Sequence, residues 1–169
     1  RGITSTEIRY AQLLCDLRGE AQDLFRLAVS ADLANDPITF ESARTRLHSE
    51  YPDSIQARLA DTLPAARPDP DQLRTAVDAN PPADMLPLQL RTWCHAAIRA
   101  GLKEQAMEPL GTLVNRGEGM PADRLQLAEL YMNEKKPWKA LQALGLIGTN
   151  PAALPKLAAV RARILLACD

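Results

Sequence analysis

Aromatic residues supply only 4% of this 169-residue chain: two tryptophans, three tyrosines and two phenylalanines. The β-branched residues that strands favour are also sparse, and the apolar share is mainly Ala and Leu, both strong helix formers. That shortage argues against a sheet-built core and leaves an all-α reading. A surplus charge is missing too. Twenty Lys and Arg against 21 Asp and Glu leave a net charge of −1 and a pI near 6.2, so no global basic field draws the chain to nucleic acid. No long hydrophobic run is present. The longest uncharged stretch, Ala140 to Pro155, is broken by Gly145, Gly148, Asn150 and two prolines and cannot span a bilayer. The chain opens on Arg1-Gly2 rather than Met, which reads as an excised or processed piece and leaves the compartment open.

Chemistry-bearing residues are few. Cys15, Cys94 and Cys168 are an odd number at wide spacing, a poor disulfide framework that matches no zinc pattern. Three buried reduced thiols is the favoured reading, with one disulfide plus a free thiol as the alternative. The two histidines are His48 and His95. Cys94 and His95 are adjacent, so on a helix they point about 100° apart and cannot make a nucleophile–base contact. Gly117-Glu118-Gly119 follows a helix, lacks a third glycine and carries no Lys-Ser/Thr, so it reads as a loop and not a phosphate cradle. Asp69, Asp71 and Asp78 lack the glycine and glutamate of a calcium loop, and Pro70 interrupts them; capping explains the first two. Glu134-Lys135-Lys136 reads as a solvated turn, and Trp93 and Trp138 as core or hairpin packing. The chain is read as non-enzymatic, with no catalytic residue, cofactor or metal site.

What is there is helical periodicity. Residues classed as hydrophobic make up 46%, enough for a sizeable core, and they recur at helical spacing between turn signals. Ten helices are predicted. The first four cover 5–18, with Thr4 and Glu7 at capping-box spacing and Gly19 as the stop, then 20–34, 37–50 behind Asp36-Pro37, and 54–63. Asp69-Pro70-Asp71-Gln72 opens the fifth, to residue 79. The rest cover 84–100, 102–116, 122–133, 137–147 and 155 to the end. Short helices on short connectors pack as antiparallel neighbours.

A spacing organises the second half. The step from Ala106 to Ala140 is the same as that from Cys94 to Ala128 and from Ala128 to Ala162, and it lands on a small residue each time. Leu127-Ala128, Tyr131, Ala140, Leu144 and Pro151 form one set; Trp93-Cys94, Ala97, Gly101, Ala106 and Leu110 form another, with Ala97 where the first has an aromatic. Small side chains let two helices of a hairpin approach while large ones fill the groove to the next. The pattern resembles the tetratricopeptide (TPR) repeat family, and the step matches the length of its repeat. The likeness is closest over residues 88–168 and looser over 21–79, where the interval from Ala43 to Ala106 falls short of two full repeats.

The resemblance implies a right-handed α-solenoid of stacked helix hairpins, a single domain over 1–169 that is a segment of a longer array. Its clearest repeats are 88–121 and 122–155, with 156–169 beginning another. It also implies a concave groove lined by the first helix of each repeat. That register places Arg91, His95 and Arg99 on the sixth helix, Leu125, Glu129, Met132 and Asn133 on the eighth, and Lys156 and Arg163 on the tenth. A mainly basic stripe with one carboxylate suits an acidic or extended protein segment, a C-terminal carboxylate or a charged polymer. The Asn/Lys/Arg carboxylate clamp of some TPR co-chaperones is not present. Divergent bacterial arrays of this kind occur in periplasmic parts of exopolysaccharide-export proteins, the PelB family among them. The resemblance therefore implies a periplasmic scaffold recruiting a polymer-modifying enzyme, or guiding anionic or cationic polymer. The alternative is a cytoplasmic co-chaperone or regulatory domain that binds a peptide.

Overall fold

The computed structural model describes residues 5–145 and 155–168, and among these every regular element is helical. Ten α-helices follow in order: α1 Ser5–Arg18, α2 Ala21–Ala34, α3 Pro37–Glu50, α4 Ile55–Ala60, α5 Pro70–Asp78, α6 Pro87–Arg99, α7 Lys103–Asn115, α8 Pro121–Asn133, α9 Pro137–Leu144 and α10 Pro155–Leu166. A short 3-10 turn, Pro64–Ala66, lies between α4 and α5. Thr4, Ile147 and Pro151 fall outside the described residues.

The all-α expectation holds, and local chemistry explains most boundaries. Proline opens six of these helices, at the first position, where the missing N–H costs nothing. Asp36 accepts from the Thr39 N–H at 3.1 Å and Ser54 from the Ala57 N–H at 3.1 Å. Asp69 accepts from the Gln72 N–H at 2.8 Å while Gln72 Oε1 accepts from the Asp69 N–H at 3.1 Å, a reciprocal cap at the helix start expected there. Gly19 closes α1 with φ +63° and its N–H on Cys15 O.

Two expected boundaries move because of a proline. The sixth helix was expected from residue 84 but begins at Pro87, since Leu86 is held extended (φ −64°, ψ 156°) by the ring that follows it. The fourth was expected to reach residue 63 but stops at Ala60, with Leu63 extended before Pro64. Pro109, by contrast, sits inside α7, where it removes one ladder donor without ending the helix.

The chain divides into two compact units, Arg1–Gly101 and Leu102–Asp169. The division falls inside the 88–121 interval read as one repeat. In the first unit α2 is central, with α1, α3 and α4 packed on it. Its Leu24, Phe25, Leu27, Ala28 and Ala31 are at most 2% exposed. Phe40, Ala43 and Leu47 come from α3, and Ala57, Leu59 and Ala60 from α4. Helix α6 packs on α4 and α5, and buried Trp93 donates its indole N–H to Val77 O at 3.3 Å. In the second unit α7 packs on α8, α8 on α9, and α9 on α10. Ala106, Leu110, Leu113, Ala128, Ala140 and Leu144 are fully buried there, and each buried leucine contributes on the order of 1.5–3 kcal/mol.

Of the residues assigned to repeat packing, Trp93, Cys94, Ala106, Leu110, Leu127, Ala128, Ala140 and Leu144 are buried, and Tyr131 is half-buried. Two expectations need correcting. Trp138 is 66% exposed: it lies two positions from buried Ala140, about 200° round the helix. Ala162 is exposed, unlike Ala128 and Cys94 one and two repeat steps earlier. The three cysteines are free; Cys15 and Cys94 are buried, whereas Cys168 is only half-buried.

Replacing Ala128 or Ala140 by Leu is expected to overpack the α8–α9 contact and cost about 1–3 kcal/mol. Chemical denaturation checks this, with a lower midpoint at an unchanged slope.

Candidate partner-binding surface

Within the first unit, α6 presents Arg91, His95 and Arg99 at spacings of four, hence on one face. Arg91 is half-buried, and His95 and Arg99 are exposed. Arg99 is not simply a solvated cation. Its Nη1 donates to Thr62 O at 2.8 Å, at the carboxyl end of α4. Nearby Asp32, on α2, accepts from the Ala65 N–H at 2.6 Å. Burial raises the Asp32 pKa above the ordinary carboxylate value, while the Ala65 N–H and the Arg99 charge pull it the other way. One end of the α2, α4 and α6 row is thus tied by two backbone–side-chain bonds.

The amino ends of the same helices are tied by glutamines. Gln22 Oε1 on α2 accepts from Gln56 Nε2 on α4 at 3.3 Å and from Gln89 Nε2 on α6 at 3.1 Å. Gln89 Oε1 accepts in turn from the Leu86 N–H at 3.0 Å, satisfying a free amide at the start of α6. Gln22 and Gln56 stand one full repeat step apart, and Gln89 follows at a step shorter by a single position. This signal was present in the sequence and missed, because the search followed small and large apolar residues and not amides.

The second unit carries its share of the stripe separately. On α8, Leu125 and Met132 are half-buried and Glu129 and Asn133 exposed; on α10, Arg163 is exposed. The Lys156 side chain lies outside the described part.

Other polar clusters in the first unit are internally satisfied. An open cleft of about 900 Å³ is bordered by α3, α4 and α5. There Asp61 accepts from Arg44 Nε at 2.8 Å and meets His48 Nε2 at 3.0 Å, and Arg58 donates to Asn80 Oδ1 at 2.7 Å. These are part-exposed ion pairs and bonds of modest worth. Cys15 is 2% exposed, and burial, with the Asp23 carboxylate adding to it, pushes its thiol up to about 11. It stays protonated at neutral pH and is no nucleophile. Among the described residues no cluster of three His, Cys, Asp or Glu could hold a metal ion, and no helix is long and apolar enough to cross a membrane.

No protein-family model, no curated protein and no solved structure matches the chain.

Gln22→Ala would leave the Gln56 and Gln89 amide donors without their shared acceptor. With Gln89 only 4% exposed, the expected cost is about 1–3 kcal/mol, read as a fall in melting temperature. Gln22→Glu, which keeps an acceptor there, should lose less.

Proposed function

We propose that this chain is a non-enzymatic protein-interaction scaffold, TPR-like, in which helices α2, α4 and α6 line the binding surface. The observation that carries this reading is the row of α2, α4 and α6. Helix α4 packs on both of the others, the amides that tie the row recur at or within one position of the repeat step, and Arg91, His95 and Arg99 share a face of its last helix. Pinning at both ends makes such a surface rigid before a partner arrives, which lowers the ordering cost of binding.

Arg99 is already partly engaged, since its Nη1 donates to Thr62 O. An extended segment of a partner protein, acidic side chains facing α6, fits better than a polyanion bound by charge alone. By resemblance to bacterial exopolysaccharide-export arrays, the partner would be a polymer-modifying enzyme of the cell envelope.

A photo-crosslinking amino acid at His95, on the proposed surface, should capture a defined partner in the source cells; the same group at exposed Ser49 on α3 should not. Equal capture at both positions, or none at His95, would remove the reading. Arg91→Glu should weaken the captured complex with little change in helicity.

A further inference from the structure

Gly111 is a glycine without a local reason. Gly19, Gly101, Gly117 and Gly145 hold positive φ, and a Cβ on Gly119 would meet Val114 Cα at 2.9 Å. Gly111 does neither. It sits in the interior of α7, and a Cβ there would meet nothing within 4 Å. Glycine weakens a helix interior relative to alanine, and what it offers in exchange is room for a close approach.

That room belongs to a cleft of about 240 Å³ in the second unit. Helices α7 and α9 form its walls, and both pack on α8, whose Leu127 and Tyr131 reach into it. Asn115, Gln142 and Lys139 complete the lining, and the Lys139 ammonium stands 5.9 Å from the centroid of the Tyr131 ring. An apolar floor ringed by amides and one cation suits an indole: an amide oxygen accepts its N–H, and the cation takes its face.

An indole stands at the lip. Trp138 is 66% exposed and is the i, i+4 neighbour of Gln142, yet it does not line the cleft of its own chain. Charge divides along the same two helices. Glu104, Glu108 and Asn115 are exposed and share one stripe of α7 with Gly111, at i, i+4, i+11 and i+7. Lys103 and Arg116, the basic residues flanking that stripe, fall about 100° off it. On α9 Lys139 is exposed, and the nearest acid, Glu134, is held by Lys136 at 2.5 Å.

We propose that the chain forms a two-fold dimer through this face, the Trp138 of each copy seated in the Gly111 cleft of the other. Helices α7 and α9 both pack on α8 through short connectors and so run in the same direction. A two-fold axis along the groove between them lays α9 of one copy on α7 of the other and makes both contacts at once, a closed isologous arrangement. The same operation brings the basic side of α9 against the acidic stripe of α7, Lys139 towards Glu108. Two indoles and two clefts make a small interface, so the dimer is weak and reversible. It lies wholly in the second unit and does not rest on the row of α2, α4 and α6.

Sedimentation equilibrium of the whole chain from micromolar to millimolar concentration tests it, with tryptophan emission followed over the same range. The mass should rise to that of a dimer and stop there, and the emission should shift to the blue as Trp138 leaves water; Trp93 is buried throughout and adds no shift. Trp138→Ala and Gly111→Leu should each weaken association by roughly tenfold or more, at unchanged helicity. Glu108→Lys should weaken it too, and Glu108→Lys/Lys139→Glu should recover it. A parent that stays monomeric, one that grows beyond a dimer, or a dimer indifferent to Trp138→Ala or to Gly111→Leu overturns the proposal, as does a charge swap that recovers nothing. Should Gly111→Leu lose helicity, Gly111→Ala fills the same space with a better helix former and should shift association in the same direction while melting no lower than the parent.

Discussion

Everything in this fold depends on how closely helices can approach where they meet through small side chains. Ala28 and Ala31 on α2, Ala57 and Ala60 on α4, and Ala96 and Ala97 on α6 are all buried. With so few aromatics the chain cannot fill wide gaps between helices, so it removes the gaps instead. The large residues are spent sparingly: Phe25 on α2, Phe40 on α3, and Trp93 between α6 and α5. A close approach of this kind has a polar corollary. Backbone and amide groups brought near one another must be satisfied, and Gln22, Asp32 and Arg99 do that across three helices.

The same constraint engages several arginines within the unit: Arg99 donates to Thr62 O, Arg58 to Asn80 and Arg44 to Asp61. Side chains engaged this way have fixed positions and hold the helices in register.

Much of the fold was legible from residue spacing. Turn chemistry located the helix starts at Asp36-Pro37 and Asp69-Pro70 correctly, because capping is a local event that a few residues decide. The repeat step pointed to Cys94, Ala128 and Ala140 as buried small positions, because packing contacts repeat wherever the helices do. What escaped was non-local. Nothing near Arg99 in sequence says that its guanidinium meets Thr62 O, and nothing near Trp138 says which side of α9 faces α8. Leu86 and Leu63 were placed within helices, although each precedes a proline, because apolar periodicity was weighed above the backbone rule. The division at Gly101 was also not visible, since the repeat spacing runs straight through it.

The habit of opening helices on proline has a kinetic side. Every described peptide bond is trans, and the prolines at the starts of α3, α5, α6, α8 and α9 hold that geometry in the native chain. Once unfolded, each X–Pro bond drifts toward a mixture containing roughly 10–30% of the other isomer. With several such bonds, a large share of denatured chains carries at least one wrong hinge at a helix entrance. Those molecules must wait for rotation on a timescale of about 10–100 s before that helix can dock, so the residues that define where helices begin also set how slowly the last of them are recovered.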